Sequence, residues 1–282
     1  MLASAIITFR EVFEAALVVI IVLAYLKRTG KLSYVKAVWT GVGLGVLCSV
    51  LLAVVVESVM GGLTGPSEKI VEGVMMLTAV LFITWMVVWI FSTRNLSNEI
   101  AQKAERATEL GSSGAWGAAG IVLLISMAVM REGFETAIFL NAASSTGGAS
   151  LSGALTGVAL ALILSYSVFK GSRLVNIKTF FRVTTAMLVL FAAGLFSHAL
   201  LEFQQAGLIS PVIDHIYDIS WLMNKSSTTG SLLNSLFGYT GRPSLVEMGG
   251  YLGYLTVTYL LYVAMRRSYR TGRTGAGNSA CS

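Results

Sequence analysis

Arg10-Glu11-Val12-Phe13-Glu14 interrupts an apolar run at residues 2–26, and Arg131-Glu132-Gly133-Phe134-Glu135 interrupts another at residues 117–141. Both are R-E-x-F-E, 121 residues apart. On a helix each residue turns about 100°, so with Arg10 at zero Glu11 falls near 100° and Glu14 near 40°. All three charges share one arc, and the same holds for Arg131, Glu132 and Glu135. A charge at the centre of a membrane helix costs roughly 2.5–3.5 kcal/mol, so six unpaired ones would cost on the order of 15–20 kcal/mol. Such groups are retained where they face a protein interior or an aqueous cavity and compensate one another.

The surrounding sequence supports a bilayer setting. Of the 282 residues 55% are hydrophobic and 12% charged, against about 25% charged in soluble domains. The mean hydropathy is +0.75. A soluble globule, a disordered chain, a collagen and a disulfide-stapled secreted domain are excluded on these grounds. Runs long enough to cross about 30 Å of hydrocarbon fall at 2–26, 36–59, 70–92, 117–141, 151–169, 180–204 and 245–265. They are continuous, without the alternation of a barrel strand. The expected fold class is an all-α membrane protein with seven transmembrane helices. The first run lacks a basic flank before it and carries charges inside it, which reads as a retained span and not a cleaved signal.

The net charge of +6 does not point to nucleic acid, because the basic residues fall in short clusters between the runs. Fifteen lie on one side: Lys27, Arg28, Lys31 and Lys36; Arg94, Lys103 and Arg106; Lys170, Arg173, Lys178 and Arg182; Arg266, Arg267, Arg270 and Arg273. The other side has Lys69, Lys225 and Arg242. The positive-inside rule then puts the N-terminus outside and the C-terminus in the cytoplasm. Cys48 lies within a run and Cys281 in the tail, so no structural disulfide is expected.

The motif pair belongs to a longer internal repeat. Thr40-Gly41-Val42 matches Thr156-Gly157-Val158, and Val80-Leu81-Phe82 matches Val189-Leu190-Phe191, in the same order. Each copy holds three runs, an odd number, so the second must enter the membrane from the opposite side. Inverted repeats of this kind place transported substrate near the midplane, between the copies. The expected organisation is a first three-helix repeat at 1–110, a second at 111–206, an external loop at 207–244, a seventh helix at 245–270 and a disordered cytoplasmic tail at 271–282. Within 93–116 an amphipathic piece runs from Asn98 to Leu110. Gly41-x-x-x-Gly45 would allow close helix approach.

Four carboxylates and two guanidinium groups carry a formal charge of −2, an oxygen-rich set that favours a hard cation such as Fe(III), Mn(II) or Mg(II). Glu11, Glu14, Glu132 and Glu135 are the candidate ligands. Arg10 and Arg131 would organise them, each holding one carboxylate oxygen while others face the path. Two plainer readings compete: each arginine merely neutralises its own helix to ease insertion, or the carboxylates relay protons. Glu72, His198, Glu202, Asp214 and Asp218, with His215 beside the last two, are candidate outer access residues. Packing or a solvated turn would equally account for them. No Gly-x-x-x-x-Gly-Lys-Ser/Thr string is present to couple ATP, and the Glu-x-x-His pattern of di-iron bundles is absent from the motif helices.

Paired R-E-x-x-E helices in a seven-run chain resemble the oxidase-dependent iron transporter family, the high-affinity iron permeases, in their bacterial EfeU-like branch. Tyr25-Leu26-Lys27-Arg28-Thr29, Ile83-Thr84-Trp85-Met86-Val87-Val88-Trp89, Ala192-Ala193-Gly194-Leu195 and Leu236-Phe237-Gly238-Tyr239 extend the likeness. The family motif is usually R-E-G-L-E; here Val12, Phe13 and Phe134 depart from it while every charge is kept. The resemblance implies a bacterial cytoplasmic-membrane permease, not an enzyme, with iron as transported substrate and no permanently bound cofactor. It also implies periplasmic partners, an iron-binding lipoprotein and a haem peroxidase. Transport of another divalent cation such as Mn or Pb, or membrane metal-redox chemistry, are the alternatives.

Overall fold

The structure is a computed structural model describing residues 2–60, 65–92, 96–109, 114–145, 147, 149–170, 177–208 and 244–278. The described residues form eight α-helices: α1 (Leu2–Arg28), α2 (Val35–Met60), α3 (Pro66–Ser92), α4 (Leu96–Glu109), α5 (Gly114–Ser145), α6 (Leu151–Phe169), α7 (Ile177–Gln205) and α8 (Leu245–Asn278), with a 3-10 turn at Leu32–Tyr34. Every apolar run coincides with a helix. Five, α2, α3, α5, α6 and α7, are long and apolar enough to cross a membrane by length and composition. The other two differ for visible reasons. In α1 the charges Arg10, Glu11 and Glu14 break the apolar run, and Lys27 and Arg28 close it. In α8 glycines, tyrosines and Glu247 dilute the aliphatic content.

The ends follow from local chemistry. Gly30 takes φ +72°, a conformation that costs glycine little, so Lys31 N–H reaches Leu26 O at 3.0 Å and closes α1. Gly207 ends α7 in the same way, with Leu208 N–H donating to Phe203 O; both are Schellman caps. α8 opens on a capping box: Ser244 N–H donates to Glu247 Oε2 at 2.8 Å and Glu247 N–H to Ser244 Oγ at 3.2 Å. No proline interrupts α8, and it runs through 271–278, the stretch whose composition suggested a disordered tail.

α4 is the amphipathic piece read from the sequence. Ile100, Ala104 and Thr108, four residues apart, are buried, while Gln102, Lys103, Glu105 and Arg106 are exposed. The buried stripe lies against α1 and α5, where Ile100 and Ala104 join Val22, Leu26, Ile121 and Ile125 in one apolar cluster. Lys31 Nζ ties α4 down by donating to Thr108 Oγ1 at 2.8 Å.

The two halves of the chain interleave. α1 packs on α6 and α5 packs on α2; α3 packs on α7, α1 meets α5, and α8 covers α7. Small residues set the spacing of the first two pairs. A Cβ on Gly45 would lie 2.9 Å from Ser126 O and 2.7 Å from Val129 Cβ, and one on Gly157 would collide with Ala5 O and Thr8 Oγ1. With the motif offset of 121 residues, Ser126 and Val129 correspond to Ala5 and Thr8. Packing therefore matches Gly157 with Gly45, one helical turn from the Gly41 suggested by the sequence. Gly41 itself packs against Val122 O and Ile125.

Candidate metal centre

α1 carries Arg10, Glu11 and Glu14 to its seam with α5, which carries Arg131, Glu132 and Glu135. Arg10 is wholly buried. Its Nη1 lies 2.7 Å from Glu11 Oε1 and its Nη2 2.8 Å from Glu14 Oε1. The planar fork thus spans two carboxylates of its own helix, a geometry that favours guanidinium over ammonium. Nη2 also donates to Met86 Sδ of α3 at 2.8 Å. The second motif repeats the pairing more loosely: Arg131 Nε lies 3.3 Å from Glu132 Oε1 and 3.2 Å from Glu135 Oε1. The Arg131 side chain is 49% exposed, that of Arg10 1%.

The pairing leaves oxygen to spare. Glu11, Glu132 and Glu135 are buried, and each keeps an Oε2 with no hydrogen-bond partner among the described residues. One carboxylate oxygen from each of these three lies within 4.8 Å of the others. Octahedral oxygen ligands at 2.0–2.1 Å from a metal stand about 3 Å apart when adjacent and about 4.2 Å when opposite. The 4.8 Å bound on the trio lies above both spacings. Buried carboxylate oxygens without donors are costly, and a cation among them removes that cost. Glu14 stays with Arg10, outside the trio.

The two phenylalanines of the motifs pack beside the charges. Phe13 is fully buried with Leu17 and Ala161, and Val12 lies against that cluster. Phe134 meets Phe82 of α3 edge-on, ring centres 5.6 Å apart. Gly133 is required where it stands, since a Cβ there would collide with Ser49 of α2. Beyond Glu11 and Glu132 a cavity of about 740 Å³ extends among α1, α2, α5 and α6 toward Leu23, Trp39 and Phe169, with mostly apolar walls.

The profile of the iron permease FTR1 family matches residues 1–274. The chain belongs to that family.

Among curated relatives, the ferrous iron permease EfeU of Escherichia coli O6:K15:H31 is 31% identical over 268 residues, covering 94% of this chain and 96% of that one. The ferrous iron permease EfeU of Shigella sonnei is 30% identical over 96% of this chain and 98% of its own. That of Yersinia pestis is 30% identical over 93% of each. No solved structure matches. Family and helices together make this a multi-pass membrane protein.

The candidate access residues fare differently. Glu72 of α3 and Glu202 of α7 are brought together by Lys69, whose Nζ lies 3.1 Å from Glu72 Oε2 and 3.0 Å from Glu202 Oε2. His198, one turn before Glu202, is buried, and its Nδ1 donates to Gly194 O at 3.1 Å. On the same two helices Met76 and Ile83 of α3 and Phe191 and Leu195 of α7 belong to one buried apolar cluster. Asp214, His215 and Asp218 lie outside the described residues. Sequence reasoning overlooked Lys69, although its three-residue spacing from Glu72 was a usable signal. Nothing in the sequence marked Met86 as the neighbour of Arg10.

Proposed function

We propose that this protein is a permease that carries iron ions into a bacterial cell through the carboxylate centre at the α1–α5 seam. The observation that carries the reading is the convergence of Glu11, Glu132 and Glu135, buried and each with an unpartnered oxygen, from two helices with the same charged motif. Glu14 supplies a fourth negative charge from its place beside Arg10. The arginines hold one oxygen of each carboxylate, which restricts the rotamers before an ion arrives. That preorganisation limits the entropy lost on binding. The family and its ferrous iron permease relatives support iron as cargo.

The seven helices other than α4 are the spans, in two inverted three-helix repeats plus α8. The crossed packing of α1 on α6 and α5 on α2 supports a two-fold relation in the membrane plane, as do the matched Gly45 and Gly157 contacts. Such a relation puts the substrate where the copies meet, which is where the carboxylates converge. The outer cluster of Glu72, His198 and Glu202 lies on the external side, where periplasmic iron-binding and iron-oxidising partners would hand over the ion. Uptake by the purified chain in proteoliposomes tests the function. Fe(II) or Fe(III) is expected to accumulate above protein-free vesicles, with Mn(II) as comparison. Accumulation of Mn(II) alone would transfer the reading to another divalent cation. Accumulation of none of the three would end it.

Orientation has its own test. With Cys48→Ser and Cys281→Ser as background, single cysteines within 93–116 are expected to resist impermeant thiol reagents in intact cells. Those within 205–244 are expected to react. The reverse pattern would invert the topology derived from the fifteen-to-three distribution of basic residues.

A further inference from the structure

The cavity beside Glu11 and Glu132 has a lining that an ion path does not need. Its floor is α1 and α5 and its sides are α2 and α6. The hydroxyls on its walls are spent within their own helices: Ser49 donates to Gly45 O, Thr136 to Glu132 O and Ser165 to Ala161 O. Such a surface suits a hydrocarbon chain and leaves a hydrated ion without ligands. The lining residues Trp39, Leu162 and Tyr166 are exposed, so the cavity opens sideways as a groove between α2 and α6. Along α1 it runs from Glu11 to Leu23, a rise of about 18 Å. One leaflet of a bilayer contributes about 15 Å of hydrocarbon.

The end of the groove away from the carboxylates is flanked by cations. Leu23, Trp39 and Tyr166 line that end. Lys27 follows Leu23 by one helical turn, Lys36 precedes Trp39 by one, and Lys170 follows Tyr166 by one. Lys170 Nζ lies 4.8 Å from the centre of the Tyr166 ring. All three lysines are exposed, and none forms an ion pair among the described residues. Residues 15–56 and 136–201 contain no aspartate or glutamate, so α6 and the lysine-bearing ends of α1 and α2 carry nothing to balance them. We propose that this groove is a phospholipid site. One anionic phospholipid, from the leaflet facing the basic loops, lays an acyl chain between α2 and α6 and sets its phosphate among Lys27, Lys36 and Lys170. Long lysine stems lie along apolar surface and lift their charge to the headgroups, and basic clusters between helix ends attract anionic lipid. A chain of one leaflet's length reaches from those ammonium groups to Glu11 and Glu132, where it separates the centre from the open bilayer. The site does not depend on which ion the carboxylates hold.

The test is native mass spectrometry of the purified full chain, delipidated and then titrated with phosphatidylglycerol or phosphatidylethanolamine of identical acyl chains. Wild type is expected to retain one phosphatidylglycerol with a preference of about tenfold or more. The Lys27→Gln, Lys36→Gln, Lys170→Gln variant is expected to lose that preference to within about twofold, and arginine at the same three positions to keep it. Leu162→Trp fills the groove without touching a charge and is expected to lower retention of both lipids about fivefold or more. Lys103→Gln, Arg106→Gln, on the exposed face of α4, removes net charge elsewhere and is expected to leave the preference unchanged. If the triple glutamine variant is not recovered from membranes, Lys36→Gln, Lys170→Gln takes its place, with a preference expected to fall about threefold or more. Equal retention of the two lipids by wild type overturns the proposal, as does a preference that the groove lysines leave intact or that the α4 variant lowers as far. Wild-type retention by Leu162→Trp overturns it too, since the headgroup would then bind without the groove. A lipid-free dimer of wild type would give the groove to a second copy of the chain and overturn it likewise.

Discussion

Iron uptake by Glu11→Gln, Glu132→Gln and Glu135→Gln proteins is expected to fall at least tenfold each, about 1.4 kcal/mol or more, with normal amounts of protein in the membrane. Glutamine keeps the size of the side chain and removes its charge. Each of these residues contributes an oxygen to the buried trio, and a hard cation discriminates strongly between a carboxylate and an amide in a dry site. Glu14→Gln is expected to lose less, since Glu14 stands with Arg10 outside the trio. Aspartate is expected to be partly tolerated on the α5 side, where Arg131 and its partners are less tightly held. The insertion-only account of the motif makes the opposite forecast: glutamine lowers the cost of crossing the membrane, so expression should rise and uptake persist. Wild-type uptake per inserted molecule in the Glu11→Gln, Glu132→Gln double variant would eliminate these two as ligands.

The sequence made the helices legible because a bilayer imposes a length on every apolar run. Charges placed at 10–14 and 131–135 announced themselves by their cost in that setting. It also made the amphipathic α4 legible, through the four-residue spacing of Ile100, Ala104 and Thr108. What it could not disclose was the division of labour among the four carboxylates. Glu11 and Glu14 lie on one arc of α1 by helical geometry alone, and the fork of Arg10 holds both, yet the inter-helix register delivers Glu11 and not Glu14 to the trio with Glu132 and Glu135. Register depends on contacts such as Gly45 against Ser126 and Gly157 against Ala5, where a shift of one turn separates the string match from the packed pair. Likewise Glu72 and Glu202 looked like free access ligands because Lys69 lies 133 residues from Glu202 in the chain. Its ammonium group nonetheless bridges both. Identical motifs also concealed unequal burial of Arg10 and Arg131, which is decided by neighbours such as Met86.

That inequality gives a second large effect, on stability. Arg10→Gln leaves Glu11 and Glu14 buried beside each other with no cation of their own helix. Removing one member of a buried ionic network costs about 3–5 kcal/mol. The variant is therefore expected to unfold at markedly lower temperature in detergent and to reach the membrane in reduced amount. Arg10→Lys should fall between, because an ammonium is a point charge and cannot extend two parallel donors to two carboxylates. Arg131→Gln strands Glu132 and Glu135, which are likewise buried, but its pairs are longer and the arginine itself is half exposed, so its cost is expected to be smaller than that of Arg10→Gln. Neutralising the whole first motif separates charge stranding from general disruption. Arg10→Met, Glu11→Gln, Glu14→Gln removes the stranded charges along with the arginine, so it should recover most of the stability lost in Arg10→Gln while transporting no iron. Equal destabilisation by Arg10→Gln and Arg131→Gln would contradict this account. So would a triple variant no more stable than Arg10→Gln, since the loss would then come from packing around the arginine stem instead of from the unpaired carboxylates.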